Sequence, residues 1–224
     1  DNASSTPIHP KQVKFIQNIQ NLGFPKAVNQ GLQKSTGEFI LVLNPDTRIP
    51  PNFFTKAVQF IKLHPDAGIM GPKFTDPDGT PQGSVFPEPS IITHIREFWL
   101  GQKGLSLKEC PKTKMPIVVN SISGGCMFMP RSTYKKLGPL TEKVFMYYED
   151  LDFCRRIRQA GLKIYFNPEV VIIHEHGLSS RQNPQTLEYH RQASLWYNGP
   201  LKHYLMWFIS WTGQKFRKLV EAIR

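Results

Sequence analysis

The tightest constraint in this chain is the run Glu38-Phe39-Ile40-Leu41-Val42-Leu43, which follows Thr36-Gly37 and stops at Asn44-Pro45-Asp46. A short apolar run bounded by turn residues reads as a strand buried on both faces, the kind a parallel sheet supplies. Upstream, residues 27–34 predict a short helix. Downstream, Pro50-Pro51 opens a second helix from about Asn52 to Leu63, with Phe53, Ala57, Phe60 and Ile61 at helical spacing. Gly68-Ile69-Met70-Gly71 predicts the next strand. Helix, strand, helix, strand at this spacing predicts an α/β layer fold.

The rest of the chain is consistent with one domain and an appendage. Asp76-Pro77-Asp78-Gly79 predicts a hairpin tip, and residues 91–100 a helix. Gly101 to Pro116 carries Lys103, Lys108, Lys112 and Lys114 among few apolar residues and reads as a mobile basic loop. Residues 118–121 and 126–129 are strand-like and flank Ser123-Gly124-Gly125. Residues 149–159 predict a helix that buries Phe153, Cys154, Ile157 and Ala160 and is capped by Gly161. Two short strands, 163–166 and 170–173, lead to His174-Glu175-His176-Gly177. From Asn183 onward the pattern is helical, aromatic and basic. The expected division is 1–182 for the α/β domain and 183–224 for a helical extension.

Composition narrows the partners. The 224 residues are 40% hydrophobic, enough for a substantial core. Lys+Arg 28 against Asp+Glu 17 gives a net charge of +11, which points to an anionic partner without choosing among nucleic acid, phosphorylated small molecules and acidic membranes. Three separated cysteines (Cys110, Cys126 and Cys154) argue against a disulfide framework or zinc site and for a reducing, cytoplasmic compartment. No apolar run reaches the roughly 18 residues of a spanning helix, and Asp1-Asn2-Ala3-Ser4-Ser5 is not the start of a signal peptide.

Three constellations carry chemistry. Asn44-Pro45-Asp46-Thr47 ends the best strand, where ligands bind in open α/β sheets; a carboxylate there can hold a divalent ion on a diphosphate, although Asn-Pro-Asp is also an ordinary turn. Tyr147-Tyr148-Glu149-Asp150-Leu151-Asp152 crowds three carboxylates into the first turn of a helix. The helix dipole alone accounts for Glu149 or Asp152, while one carboxylate beside the aromatics and the Gly-Gly segment could act as a general base. His174 and His176 point to opposite faces of an extended segment, so at most one faces a site.

Taken in order, Asn21-Leu22-Gly23-Phe24, Ala27 and Asn29, Leu43-Asn44-Pro45-Asp46-Thr47, Ser123-Gly124-Gly125-Cys126-Met127, Tyr148-Glu149-Asp150-Leu151-Asp152 and His174 resemble the family-2 inverting glycosyltransferases of the GT-A fold, and within them the rhamnosyltransferase-like enzymes of surface polysaccharide and cell-wall assembly. The resemblance covers residues 1 to about 180. It implies a mixed, mostly parallel sheet flanked by helices. It implies a nucleotide-diphosphate sugar such as dTDP-rhamnose as donor, Mg²⁺ or Mn²⁺ as cofactor, and a glycan or lipid-linked acceptor. Residue by residue, Asp1 corresponds to the position that reads the base; Asn21, Gly23 and Asn29 line the nucleotide. Asn44 and Asp46 form the metal motif, completed by His174. Gly124 and Gly125 lie near sugar and acceptor, Glu149 on the substrate side, and Asp150 is the base.

Departures from the family pattern sharpen the expectations. Pro25 and Lys26 replace a glycine pair; Lys26 either meets a phosphate or is solvated. Asn44 removes one charge from the metal motif. The chain opens where the second strand of such a fold should be ending, so a fragment lacking the first strand-helix unit is expected. The rival readings are a nucleotidyltransferase, which would want a glycine-rich phosphate loop near its start, and a non-catalytic basic module for membrane or nucleic acid. No nucleic-acid partner is expected. In the extension, Tyr204, Leu205, Trp207, Phe208 and Trp211 with Lys202, Lys215, Arg217 and Lys218 read either as an in-plane helix on the inner face of a membrane or as a helix packing its aromatics on the domain.

Overall fold

A computed structural model describes residues 1–3, 13–102, 105–106, 108–175 and 185–223. His176, Gly177 and Lys103, singled out above, lie outside the described residues. The elements run α1 (Phe24–Lys34), β1 (Phe39–Leu43), β2 (Thr47–Arg48), α2 (Phe53–Leu63), β3 (Ala67–Thr75), β4 (Pro81–Gln82), β5 (Val85–Phe86), α3 (Ile91–Phe98), β6 (Ile117–Val118), β7 (Ser121–Ile122), β8 (Cys126–Pro130), α4 (Arg131–Leu137), α5 (Glu149–Gln159), β9 (Lys163–His174), α6 (Thr186–Asn198) and α7 (Pro200–Ile223).

The main sheet has the order β1-β8-β3-β9-β2, with β4 beside β3 and β6 beside β9. β3 and β9 are parallel, and β8 is antiparallel to both β1 and β3, so β1, β3 and β9 share one direction. The sheet is therefore mixed, flanked by helices on both faces. Alternation along the strands decides which face each side chain joins. Ile40, Val42, Ile69, Met127, Met129 and Ile164 meet Phe153, Cys154 and Ile157 of α5 and Leu32 of α1. Met70, Cys126, Phe128 and Ile172 meet Phe53, Ala57, Phe60 and Ile61 of α2 on the other face.

Two expectations need correction. The run 39–43 is not buried on both faces: among the described strands β1 pairs only with β8, antiparallel, and only Ile40 and Val42 are buried while Phe39 and Leu41 stay half-covered. A continuous apolar run is compatible with an edge position because Phe39 stacks on Phe128 at 5.6 Å instead of entering a second interface. The two short strands expected at 163–166 and 170–173 are one twelve-residue strand, β9, whose pairing with β3 shifts register between Ala67 and Ile69 and again where Pro72–Lys73 pass Asn167–Val171. Asn167 and Pro168 read as a break in sequence, but the long parallel partner bridges it with a bulge.

The C-terminal helices dock on the α/β layers. Glu88 accepts from Arg155 and Arg158 at 2.6 Å each and from the Tyr197 hydroxyl at 3.0 Å, tying α6 to α5. α7 packs on α3 so closely that a Cβ at Gly213 would stand 2.6 Å from the Phe98 carbonyl oxygen.

Helix α1 starts at Phe24 because Gly23, at φ 87°, turns the chain under the Phe145 carbonyl, where a side chain would not fit. Its buried Asn29 donates to the Leu140 carbonyl (2.9 Å) and Glu142 Oε1 (2.8 Å) and accepts from the Leu140 N–H (2.9 Å). Asn29→Ala should therefore cost about 1–3 kcal/mol for each buried backbone group left unpaired. The check is urea denaturation, where an unchanged midpoint would contradict this cross-link.

Candidate functional site

Strand register assembles the site. Leu43 pairs with Cys126, and the Asn44 N–H donates to the Gly125 carbonyl at 3.0 Å, which lays residues 44–46 beside the glycine pair. Thr47 of β2 stands opposite His174 of β9, and the Glu175 N–H donates to the Asp46 carbonyl at 2.8 Å. Asp46 and His174, 128 residues apart in sequence, thus meet with Oδ1 and Nε2 at 3.5 Å. The Gly124 N–H donates to Asp150 Oδ2 at 2.9 Å, bringing the start of α5 to the same end of the sheet.

The turn before α5 is strained. Tyr147 and Tyr148 both lie in the left-handed region, at φ 73° and 64°, a conformation costing bulky residues about 1–3 kcal/mol each. Packing from α6 holds them there: Tyr148 lies against His190 (5.4 Å) and Tyr197 (5.2 Å), and Tyr147 against His190 (5.7 Å). The turn delivers the three carboxylates to different environments. Asp152 faces Arg156 one turn on, at 2.9 Å. Asp150 is buried and accepts from the Gly124 and Leu151 N–H groups; burial raises its pKa, and those two amides and Lys108 oppose the rise. Glu149 is buried with Oε2 accepting no hydrogen bond among the described residues, and burial first, then the Asp150 charge, pushes its pKa up to about 8.

His174 is oriented from behind. Its Nδ1 lies 3.0 Å from Gln82 Oε1, while Gln82 Nε2 donates to the His174 carbonyl at 2.7 Å and to Asp76. With the amide so placed, Nδ1 carries the proton and the Nε2 lone pair points toward Asp46. Asp46 Oδ1 accepts no hydrogen bond among the described residues. An imidazole nitrogen and a carboxylate oxygen 3.5 Å apart either share a proton or flank a cation, so the pair also fits a divalent ion as one nitrogen and one oxygen donor. Gln82 left no sequence signal, because only the β3–β4 pairing brings it to His174. Lys108 left a misleading one. It sits within the expected basic loop, yet its Nζ lies over the rings of Phe74 (5.6 Å) and Phe86 (5.4 Å), within electrostatic reach of Asp150 and Asp46.

The remaining candidates divide. Asn21 Oδ1 accepts from the Gly23 N–H (3.0 Å) and from Asn2 Nδ2 (2.8 Å). The Asp1 ammonium donates to the Ile16 carbonyl at 2.7 Å, so residues 1–2 and 16–23 form one patch at the head of α1. Lys26 is exposed on that helix. Asn29 points the other way, into the cross-link with residues 140–142.

The protonation of Glu149 gives a prediction. A carboxyl whose folded pKa is raised keeps its proton after the unfolded chain has lost it, so its stabilising effect is complete below about pH 4.5 and fades as pH rises toward 8. Across that window this group should cost about 1.4 kcal/mol per pH unit. Glu149→Gln should flatten the loss, so the variant gains on wild type between pH 5 and 8 in thermal melts. Parallel melting curves for the two proteins would refute the raised pKa.

Residues 4–199 match the family described as Glycosyltransferase like family 2. Among curated relatives, the N-acetylglucosaminyl-diphospho-decaprenol L-rhamnosyltransferase of Mycobacterium tuberculosis (strain CDC 1551 / Oshkosh) is 26% identical over 224 residues, covering 85% of this chain and 71% of the relative. The dTDP-rhamnosyl transferase RfbF of Shigella flexneri is 26% identical over 170 residues, 75% of this chain and 53% of its own length. Among solved structures, GalNAc-T7 with UDP, GalNAc and Mn²⁺ superposes with a TM-score of 0.57 at 18% identity, over 83% of this chain and 38% of that one. That likeness shows the fold, and the family match decides against the nucleotidyltransferase and interaction-module readings. The chain belongs to glycosyltransferase family 2 and is a transferase of the GT-A fold.

Proposed function

We propose that this chain transfers a sugar from a nucleotide-diphosphate sugar to a hydroxyl of a glycan or lipid-linked glycan, inverting the anomeric carbon. The names of three relatives, all rhamnosyltransferases, favour dTDP-rhamnose as the donor. One observation carries the reading: a buried carboxylate, Asp150, is fixed by the Gly124 amide at the strand ends where the Asp46–His174 pair also lies. Each Asp150 oxygen takes one backbone N–H and keeps a lone pair for the acceptor's proton. Burial favours the protonated form, so the carboxylate is more basic than one in water. Asp46 and His174 would hold Mg²⁺ or Mn²⁺, which when bound neutralises charge on the leaving diphosphate. Asp150 takes the proton as the acceptor oxygen attacks from the face opposite the leaving group. One displacement with a base and no enzyme nucleophile inverts configuration.

Asp150→Asn keeps the size of the side chain but cannot take the proton, so initial rates of transfer should fall about 10²–10⁴-fold with donor affinity little changed. Asp152→Asn, which loses only the pairing with Arg156, should cost far less. A dead Asp152→Asn beside an active Asp150→Asn would sink the assignment.

The second half of the proposal concerns location: peripheral contact of α7 with the inner face of the cell membrane. No described helix is long and apolar enough to cross a membrane. α7 packs one face on the domain and leaves aromatics exposed on the other, which supports the membrane reading. Met206 and Gly213 turn toward the domain, while Leu201, Tyr204, Trp207, Phe208 and Trp211 are exposed on the opposite side. Lys215 Nζ lies 4.3 Å from the centroid of Trp211, and Lys218 is exposed one turn further on. Exposed aromatics rimmed by bases suit the headgroup layer of an anionic bilayer, where a lipid-linked acceptor resides.

Replacing both Trp207 and Trp211 with Gln touches no described core contact. It should leave the melting temperature unchanged and reduce co-sedimentation with phosphatidylglycerol-containing vesicles, wild-type binding itself weakening as salt rises. Equal pelleting of the two proteins would rule membrane contact out.

A further inference from the structure

We propose that Lys108 is a second, protein-supplied cation of the donor site, binding the diphosphate of the nucleotide sugar alongside the Asp46–His174 pair. The inference rests on the donor reading above and assigns to it a residue outside the family motifs that the sequence displays.

The geometry centres on Phe74. Its ring lies 5.2 Å from the His174 ring, and its edge packs under Gly125, where a Cβ would come within 3.1 Å of Cε2. Lys108 Nζ stands over the same ring at 5.6 Å and over Phe86 at 5.4 Å. The ammonium therefore shares one floor with the metal-ligand pair and the glycine loop, and it feels the charges of both Asp150 and Asp46. A solvated loop lysine would not be held this way.

The backbone around it is fixed. The Ser84 and Val85 N–H groups both donate to the Glu109 carbonyl, at 2.9 and 3.0 Å, and the Glu109 N–H returns a bond to Val85 at 2.9 Å. Gly83 allows the approach, because a Cβ there would stand 2.8 Å from the Lys108 carbonyl oxygen. The ammonium lies over two aromatic rings, and burial lowers its pKa, a shift that the charges of Asp150 and Asp46 oppose. The lysine is thus positioned before any donor arrives, the condition under which a cation stabilises developing charge at little reorganisation cost.

Charge balance gives the role. Asp46 and Asp150 set two carboxyl groups at the end of the sheet where a diphosphate would bind, and Lys108 is the cation placed among them. Asp46 and His174 would hold a divalent ion there, and Lys108 would face the phosphate oxygens beside it. In the transfer step the bond between the anomeric carbon and the diphosphate oxygen breaks, and its electron pair stays on that oxygen. A bond forms from the acceptor oxygen to the anomeric carbon, and the acceptor's proton goes to Asp150. Lys108 supplies a hydrogen bond and positive charge to the departing diphosphate and exchanges no proton.

The test is calorimetric titration of the full chain with dTDP, UDP and the matching nucleoside monophosphates, with Mn²⁺ and with EDTA. Lys108→Met keeps the stem over Phe74 and Phe86 and removes the charge; Lys108→Arg keeps the charge. Lys108→Met should weaken binding of the preferred nucleoside diphosphate about 10–100-fold, the scale of a lost charge-assisted hydrogen bond. Its monophosphate affinity should stay within about twofold of wild type on the same scale, and Lys108→Arg should recover most of the diphosphate affinity. Melting curves identify any variant that does not fold, in which case Lys108→Gln replaces it. Wild-type diphosphate affinity in a folded Lys108→Met overturns the assignment and leaves the transferase reading standing. Failure of wild type to bind either diphosphate overturns both.

Discussion

The parallel pairing of β3 with β9 is the contact on which every other part of the site depends. It runs from Ala67 opposite Lys163 to Thr75 opposite Ile173, so the far end of β9 reaches the hairpin that carries Gln82. The pairing needs close layers above it. A Cβ at Gly68 would lie 2.6 Å from Ile157 Cγ2, and one at Gly71 would lie 2.8 Å from Ile122 Cγ2. Small residues at those two positions let α5 and β7 press on the sheet, and α5 brings Asp150 with it. Phe74, at the end of the same strand, then forms the floor shared by His174, Gly125 and Lys108.

What could be read from the sequence follows from the range of the physics involved. Helix α5 was legible to the residue because its apolar positions, acidic first turn and Gly161 are all local. Helix α2 and the turn at Asp76–Gly79 were legible for the same reason. Register across the sheet was not. Residues 163–174 look like two strands because Asn167-Pro168 is a local break, and only the partner strand makes them one. The apolar run at 38–43 predicted burial on both faces, yet an edge strand with an aromatic stack satisfies the same composition. In the site, motif residues such as Asp46, Asp150 and His174 were visible through family resemblance. Gln82 and Lys108 were not, since each acts through a contact made across many residues. A lysine in a polar loop carries no mark of the two rings that will hold it.

Three carboxylates at one helix start illustrate how environment separates identical chemistry. The helix dipole favours all three. Asp152 spends that advantage on Arg156 at a half-open surface. Asp150 trades water for two backbone amides and the field of Lys108, which oppose the rise that burial gives its pKa. Glu149, buried beside it with no comparable donor on Oε2, resolves the conflict by keeping its proton.

The strain at Tyr147 and Tyr148 links the two halves of the proposal. Two consecutive left-handed residues persist only where packing holds them, and here the packing comes from α6 through Tyr197 and His190. Glu88 anchors Tyr197 in turn, with Arg155 against its ring at 3.5 Å. Gly199, at φ 75°, then turns the chain from α6 directly into α7. The helix whose outer face suits a bilayer is therefore one residue from the helix that holds the base turn in place. On the proposed reading, an acceptor anchored in lipid reaches Asp150 from the side where this aromatic stripe would seat the protein. On that same reading, one pair of C-terminal helices would both hold the base turn and face it toward the membrane.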